Sequence, residues 1–312
     1  MTTTETTSAT TTPASAAEAA QVVTADRVLD GPHGDLRVRV YTPPAAPVAG
    51  LVWAHGGGFM HGDLDMHEGD GVARHLAAAG VAVVSVDYRL VPPIDRAATA
   101  ADPAATVGSD GVRFPVPSEE VAFAFDWARC EAAGLGVAPD GWSIGGASAG
   151  GNLAAGASLR LRDAGTPVRS VVLAYPVAHY ALPPHSDELA AKVAAIPGGS
   201  FPPAEVLAMN DNYLGHSDGP SSPYAFPGGQ DLRGLAPTFV LTSDRDGLRS
   251  SGEAYASELA AAGVDVLLVR EDGTTHGHLN QPEHPGCARS IARMAAWLTG
   301  GALVGTTHEP AR

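Results

Sequence analysis

Short apolar runs, most of them rich in valine, alternate along this chain with segments of helical periodicity. Runs of this kind are typical of strands that are buried on both faces of a sheet. They cover Gly50–Ala54, Val81–Val86, Trp142–Ile144, Val171–Tyr175, Thr238–Thr242 and Val264–Val269. The helical segments cover Gly71–Ala79, Glu119–Ala133, Gly150–Asp163, Gly252–Ala262 and Ala288–Leu298. The alternation predicts an α/β fold with a mostly parallel central sheet and helices on both faces.

Three segments depart from this alternation. Val22–Leu29 and Leu36–Tyr41 alternate apolar and polar residues around a Gly-Pro-His-Gly turn, which predicts a hairpin of half-buried strands at one edge of the sheet. The stretches 91–117 and 178–229 are longer than the connections of a compact domain, and such stretches are usually lids or binding loops. We expect the second stretch to form a small cap that is inserted into the domain.

Length and composition bound the organisation of the chain. Its 312 residues are consistent with one large domain at 22–300, between a disordered Thr/Ser/Ala-rich tail at 1–21 and a tail at 301–312. The first tail lacks the cationic start and apolar core of a secretory signal, and no apolar run reaches the roughly 18 residues of a membrane span. We therefore expect a cytoplasmic protein without a membrane partner. The net charge of −15 argues against a nucleic-acid partner.

The pattern Gly-x-Ser-x-Gly, which is typical of a nucleophilic serine, occurs twice in succession, around Ser143 and around Ser148. A nucleophile elbow needs a strand before it, a helix after it and small residues beside it, because the serine lies on a strained turn. Ser148 meets all three conditions. Ser143 lies inside the apolar run between two bulky residues and is expected to be a buried strand serine. Ser148 is therefore the candidate nucleophile.

A second motif, His-Gly-Gly-Gly-Phe at residues 55–59, follows directly after a predicted strand. Three consecutive glycines allow backbone N–H groups to point toward one position, where they can stabilise the oxyanion of an acyl-transfer intermediate. A phosphate-binding loop would also be rich in glycine. However, the Lys-Ser/Thr that completes such a loop does not follow Gly58.

These and other motifs, taken in order, resemble the hormone-sensitive-lipase-like branch of the α/β-hydrolases, the bacterial carboxylesterases. The matching segments span about residues 22–300 and are His55–Phe59, Val86–Arg89, Gly146–Leu153, Tyr175–Pro176, Ser222–Pro223, Asp246–Arg249 and His276–Gly277. The resemblance implies an α/β-hydrolase fold, a small-molecule ester substrate and no metal or organic cofactor. It also suggests homodimers built through the last strand and helix.

The resemblance also implies roles for individual residues. In the family's order of nucleophile, acid and base, the triad is Ser148, Asp246 and His276. The oxyanion donors are the backbone N–H groups of Gly57, Gly58 and Ala149.

A second aspartate lies two residues from the candidate acid, and a second histidine lies two residues from the candidate base. Asp244 is an alternative candidate for the triad acid. The family pattern places the acid at Asp246 and implies that Asp244 is a solvated or turn-capping residue. His278 takes the position of an aromatic residue beside the base, His276. A His-x-His pair can also bind a metal, but no third ligand at a diagnostic spacing accompanies it.

The chain departs from the family at Ala147, where an acidic residue is usual. We expect Ala147, Phe59 and His278 to contact the substrate. A small lid and walls rich in Gly and Ala suggest short-chain or small aryl esters, so the predicted function is that of a serine carboxylesterase. A lactonase, deacetylase, acyl transferase or lyase on the same scaffold stays an alternative, whereas receptors of this fold tend to lose a triad member.

Overall fold

The computed structural model describes residues 22–94, 111–196 and 200–300. Its strands in chain order are β1 (Val23–Gly31), β2 (Gly34–Thr42), β3 (Ala49–Ala54), β4 (Val81–Val86), β5 (Trp142–Ala147), β6 (Val171–Ala174), β7 (Thr238–Arg245) and β8 (Val266–Thr275). Its helices are α1 (Asp70–Ala78), α2 (Val116–Cys130), α3 (Ala132–Leu135), α4 (Ala149–Asp163), α5 (Asp187–Ala194), α6 (Pro203–Leu214), α7 (Arg249–Ala261) and α8 (Pro285–Thr299).

Across the described residues, the strands form one sheet in the order β1-β2-β4-β3-β5-β6-β7-β8. The hairpin β1–β2 is antiparallel to its neighbour β4, and every pair from β4 to β8 is parallel. This arrangement is the α/β-hydrolase fold, and it confirms the predicted fold class and the edge hairpin.

The main differences from the predicted strands lie at their ends. β5 continues to Ala147, although its apolar run stops at Ile144, because Gly145 and Gly146 still pair with Trp53 and Ala54 of β3. Glycine has no side chain to contribute to a hydrophobic pattern, so the pattern ends before the backbone pairing does. The extension brings β5 directly to Ser148.

The helices cover both faces of the sheet, as predicted. In β3, Val52 packs in the core cluster that contains α2, α4 and α7, whereas Leu51 and Trp53 pack in the cluster that contains α1 and α8. Alternate side chains of a strand point to opposite faces, so a strand that is apolar throughout supplies both cores.

Residues 178–229 contain α5 and α6, where the sequence has only weak helical patterns. Lys192 of α5 donates to Asp244 at the carboxyl end of β7, with Nζ and Oδ1 2.5 Å apart. The predicted tails at 1–21 and 301–312, and most of the predicted excursion at 91–117, lie outside the described residues. Within the described ranges, no helix is both long and apolar enough to cross a membrane.

Candidate active site

Ser148 occupies the turn between β5 and α4 and has a positive φ of 54°. Residues other than glycine rarely adopt this backbone conformation, and when they do it is often at a functional site. The turn is tight, because a β-carbon at Gly150 would collide with the carbonyl oxygens of Ala54 and His55. The Ser148 N–H donates to the Ala174 carbonyl at 2.8 Å, which holds the turn against β6.

A chain of hydrogen bonds runs from Ser148 through His276 to Asp246. The hydroxyl oxygen of Ser148 lies 2.9 Å from Nε2 of His276, and Nδ1 of the same ring lies 2.7 Å from Oδ2 of Asp246. A carboxylate can only accept, so Nδ1 carries the proton and Nε2 is free to accept the serine proton. The arrangement is that of a nucleophile, a base and an orienting acid.

Asp246 is fully buried after the end of β7, and its Oδ1 accepts from the Leu248 N–H at 2.9 Å. Burial alone would lower the pKa of His276. The charge of Asp246 and its hydrogen bond to the ring, with a further contribution from the charge of Glu68, raise the pKa of His276 above its ordinary value. The imidazole is therefore a stronger base than an ordinary histidine.

The glycine motif lies beside the serine. Gly57 and Gly58 line the same cavity as Ser148, and both have positive φ, at 116° and 60°. A β-carbon at Gly57 would collide with the His61 carbonyl, so only glycine fits this turn. Ala149 begins α4, so its N–H belongs to the first turn, where the helix dipole favours negative charge.

The cavity above Ser148 has a volume of about 640 Å³. Three methionines contribute to its wall, namely Met60, Met66 and Met209. Its acidic residues are Glu68 and Glu205, and among the described lining residues there is neither lysine nor arginine. The cavity therefore offers an apolar environment with a negative bias.

None of the three residues predicted to contact substrate lines this cavity. Phe59 is fully buried and stacks on Tyr213, with ring centroids 4.0 Å apart. Ala147 is also fully buried, since it is the last residue of β5 and points into the core. The structure thus corrects both expectations. On a strand or a turn, successive side chains point in different directions, so a residue next to a site residue in sequence can point away from the site.

His278 is the third correction. It is fully buried between Ser243 and Ser290, whose hydroxyl oxygens lie 2.9 and 2.8 Å from Nδ1 and Nε2. Burial, together with the nearby charge of His276, lowers the pKa of His278 to about 3. The ring is thus a neutral core group two residues beyond His276, and it is not part of the cavity wall.

Ser143 and Asp244 are the alternative candidates for the nucleophile and the acid, and their surroundings differ from those of Ser148 and Asp246. Ser143 is buried in β5 and shares a hydrogen bond with Ser170 at 2.8 Å, as expected of a strand serine. Asp244 is neither solvated nor a turn cap, which corrects that expectation. It is buried and accepts from Lys192.

Sequence reasoning missed three residues that surround His276. Phe201 and Tyr175 contact its ring, with centroids 4.4 and 4.9 Å away, and Glu68 lines the cavity beside it. Phe201 and Glu68 lie in segments without strand or helix periodicity, so no local signal marked them. In the parts of the chain that the structure describes, no cluster of three or more His, Cys, Asp or Glu could hold a metal ion.

Comparison with known proteins agrees with this fold. A family model described as alpha/beta hydrolase fold matches residues 51–108 and 111–280, and the chain belongs to this family. The hyperthermophilic esterase of the archaeon Pyrobaculum calidifontis superposes with a TM-score of 0.77 at 31% identity, over 89% of this chain and 83% of that one.

Curated relatives narrow the assignment. Carboxylesterase NlhH of Mycobacterium tuberculosis is 36% identical over 255 residues, which are 79% of this chain and 72% of the relative. Ethyl acetate hydrolase of Pseudomonas putida is 31% identical over 256 residues, which are 77% and 70% of the two chains. The chain therefore falls in the hormone-sensitive-lipase-like carboxylesterases, and its enzyme class is that of the carboxylic ester hydrolases.

Proposed function

We propose that this enzyme hydrolyses short-chain or small aryl esters through a Ser148–His276–Asp246 triad and an acyl-enzyme intermediate. The observation that carries the proposal is the continuous chain of hydrogen bonds from the buried Asp246 through His276 to the Ser148 hydroxyl, which opens on the cavity. The three groups stand in the order that a nucleophile, a base and an orienting acid require.

In the acylation half, the Ser148 oxygen attacks the ester carbonyl while Nε2 of His276 takes the hydroxyl proton. The imidazolium that results is stabilised by the Asp246 carboxylate, which also keeps the ring in place. When the tetrahedral intermediate collapses, the C–O bond to the alcohol breaks and His276 returns the proton to the leaving oxygen. The acyl group then remains as an ester of Ser148.

The negative oxygen of the tetrahedral intermediate accepts hydrogen bonds from the backbone N–H groups of Gly57, Gly58 and Ala149. These donors belong to a rigid turn and a helix terminus, so little reorganisation is needed when the charge develops. Losing one donor of this kind typically costs about 3–4 kcal/mol of transition-state stabilisation. In the second half, His276 deprotonates a water molecule that attacks the acyl carbon, and Ser148 is regenerated.

The cavity supports a small substrate. Its volume of about 640 Å³ lies within the roughly 300–1,000 Å³ of small-molecule sites. The methionines in its wall are flexible and apolar, so they can fit short acyl and small aryl groups of different shapes. The name of the Pseudomonas putida relative, which is an ethyl acetate hydrolase, supports the same substrate class.

The test compares Ser148→Ala with a matched control, Ser143→Ala. We expect Ser148→Ala to lose both hydrolysis of nitrophenyl acetate and covalent labelling by a fluorophosphonate. The control removes a hydroxyl from the neighbouring Gly-x-Ser-x-Gly pattern but should keep both, because Ser143 is buried away from the cavity. Normal turnover in Ser148→Ala would overturn the proposal.

We also propose that residues 178–229 cap a domain of residues 22–300, since this segment supplies Met209 and Phe201 to the cavity wall. A homodimer through β8 is a further proposal. β8 is the last strand of the sheet, and its Leu268 is 41% exposed. Sizing chromatography tests the dimer, and Leu268→Glu should convert it to a monomer.

A further inference from the structure

Glu68 is a buried carboxylate that the proposed reaction steps do not use. It lies just before α1, is only 2% exposed and lines the cavity together with Ser148 and His276. An ionised carboxylate is costly to bury unless hydrogen bonds replace its hydration. The hydrogen-bond donors around the Glu68 carboxylate therefore indicate its role.

Three groups donate to the Glu68 carboxylate. The Gly56 N–H reaches Oε1 at 2.6 Å, and the Tyr175 hydroxyl reaches Oε2 at 2.5 Å. The Asn280 side-chain amide also donates to Oε2, at 3.3 Å, while its oxygen accepts from the Glu68 N–H at 2.9 Å. An ionised carboxylate has acceptors only, so this set of donors fits the charged form.

The three donors belong to three different loops of the active site. Gly56 directly precedes the oxyanion glycines, and Asn280 lies four residues after His276. Tyr175 follows Ala174, whose carbonyl accepts from the Ser148 N–H. One carboxylate thus links the oxyanion loop and the base loop to the end of β6, and β6 in turn holds the nucleophile turn through Ala174.

Glu68 also has little freedom to move. A β-carbon at Gly56 would collide with its Oε1 and would lie 3.1 Å from the Ser148 β-carbon, so the carboxylate fills the space directly behind the serine. Trp53 donates its indole N–H to the Glu68 carbonyl at 2.8 Å and anchors the backbone. The negative charge is therefore fixed in position relative to Ser148 and His276.

We propose that Glu68 is a positioning residue of this active site: its ionised carboxylate fixes the oxyanion loop through Gly56 and places a second negative charge near His276. Its effect on turnover rests on the proposed function of Ser148 and His276. Asp246 orients the imidazole by direct contact, whereas Glu68 acts on it through space and through the loops. A negative charge in the same cavity wall stabilises the imidazolium that forms when the serine attacks.

Several other titratable groups surround the imidazole and must be considered in any pH effect. Asp246 and Tyr175 contact the ring, and His278 lies two residues along the same loop. The remaining titratable groups of the described cavity wall are His61 and Glu205. Besides burial, Asp246 and Glu68 are the groups among the described residues that shift the pKa of His276.

The test is Glu68→Gln, which keeps the size of the side chain and removes its charge. The pKa of His276 is measured by NMR on protein with isotope-labelled histidine, with the signal assigned through His276→Asn. We expect this pKa to fall by roughly 0.5 unit or more, short of the 1–3 units typical of a charge in direct contact. The acidic limb of kcat/KM should move to lower pH by the same amount, and kcat should fall about 10-fold, less than on loss of an oxyanion donor.

Glu205→Gln is the matched control, because it removes a carboxylate of the same cavity wall that is exposed to solvent, whereas Glu68 is buried. The His276 pKa should be the same in this variant as in the wild type. An unchanged pKa in Glu68→Gln, or an equal shift in both variants, overturns the proposal.

Two further outcomes of this test can be told apart: a variant that does not fold, and a failure of the proposed function. If Glu68→Gln does not fold, Glu68→Asp keeps the charge and shortens the reach to Gly56. It should then lower kcat at an unchanged His276 pKa, and wild-type kcat in this variant overturns the loop role. If the pKa shift is observed but neither protein hydrolyses esters, the proposed function fails while the electrostatic role of Glu68 stands.

Discussion

The aromatic ring of Phe201 lies against the imidazole of His276, with ring centroids 4.4 Å apart and an angle of 63° between the planes. Phe201 has a positive φ of 47°, so its backbone is held in an unfavourable conformation where it meets the site. The contact covers the base on the side of the cavity that the 178–229 segment provides. It also contributes to the burial of the ring, which opposes the rise in the pKa of His276.

Phe201→Ala should expose the imidazole to water. Burial is the largest influence on the His276 pKa and acts to lower it, so relief of burial raises the pKa. We expect the acidic limb of kcat/KM to move to higher pH and the optimum to become narrower on its acidic side. Phe201→Leu keeps an apolar cover and should leave the limb near its wild-type position. An unshifted limb in Phe201→Ala would mean that the ring does not shield the base.

Asp246→Asn should reduce kcat by about 10⁴-fold, because an amide can donate to Nδ1 and so favours the wrong tautomer of His276. Asp244→Asn is the control: it removes the negative charge that pairs with Lys192 but leaves the contact between His276 and Asp246 intact. It should lower the melting temperature and keep kcat within about tenfold of the wild type. Steady-state kinetics with circular dichroism distinguishes the two carboxylates, and a larger loss in Asp244→Asn would reverse the assignment.

His278 should make stability depend on pH. Its folded-state pKa of about 3 lies below the ordinary 6.5, so the unfolded chain binds a proton between these values that the native state does not. As the pH falls from about 6.5 toward 3, this residue should therefore cost up to about 1.4 kcal/mol of unfolding free energy per pH unit.

His278→Phe should remove that slope. At neutral pH the variant should be less stable by about 1–3 kcal/mol, because the Ser243 and Ser290 hydroxyls lose their partner. The difference between the two proteins should shrink as the pH falls, since only the wild type pays to keep the ring neutral. Urea unfolding at several pH values measures both curves, and parallel curves would contradict the expected role of His278.

Anionic esters should be poor substrates. Glu68 and Glu205 are the acidic residues of the described cavity wall, to which neither lysine nor arginine contributes, and the chain carries a net charge of −15. A neutral ester should have a kcat/KM at least about tenfold higher than a matched ester with a carboxylate in its acyl group. Glu205→Lys should narrow this ratio, and equal turnover of both esters by the wild type would show that the negative charge plays no part.

Local patterns in the sequence predicted the buried strands and the two glycine-containing turns of this enzyme. Valine-rich runs marked the buried strands, because a strand covered on both faces needs apolar residues at every position. The Gly-x-Ser-x-Gly and triple-glycine motifs marked Ser148 and the loop at 55–59, because only small residues fit such tight turns. Neighbouring residues alone set these signals, so they can be read without the fold.

Only the tertiary structure decided which residues surround the reacting groups. Glu68 and Tyr175 are separated by 107 positions, yet their side chains share a hydrogen bond. Phe59 and His278 lie beside site residues in sequence but are directed into the core. Contacts between distant segments depend on the order of the strands in the sheet and on how each loop packs. A hydrophobic pattern shows that a strand is buried, but it does not show which side chains meet at the strand's end.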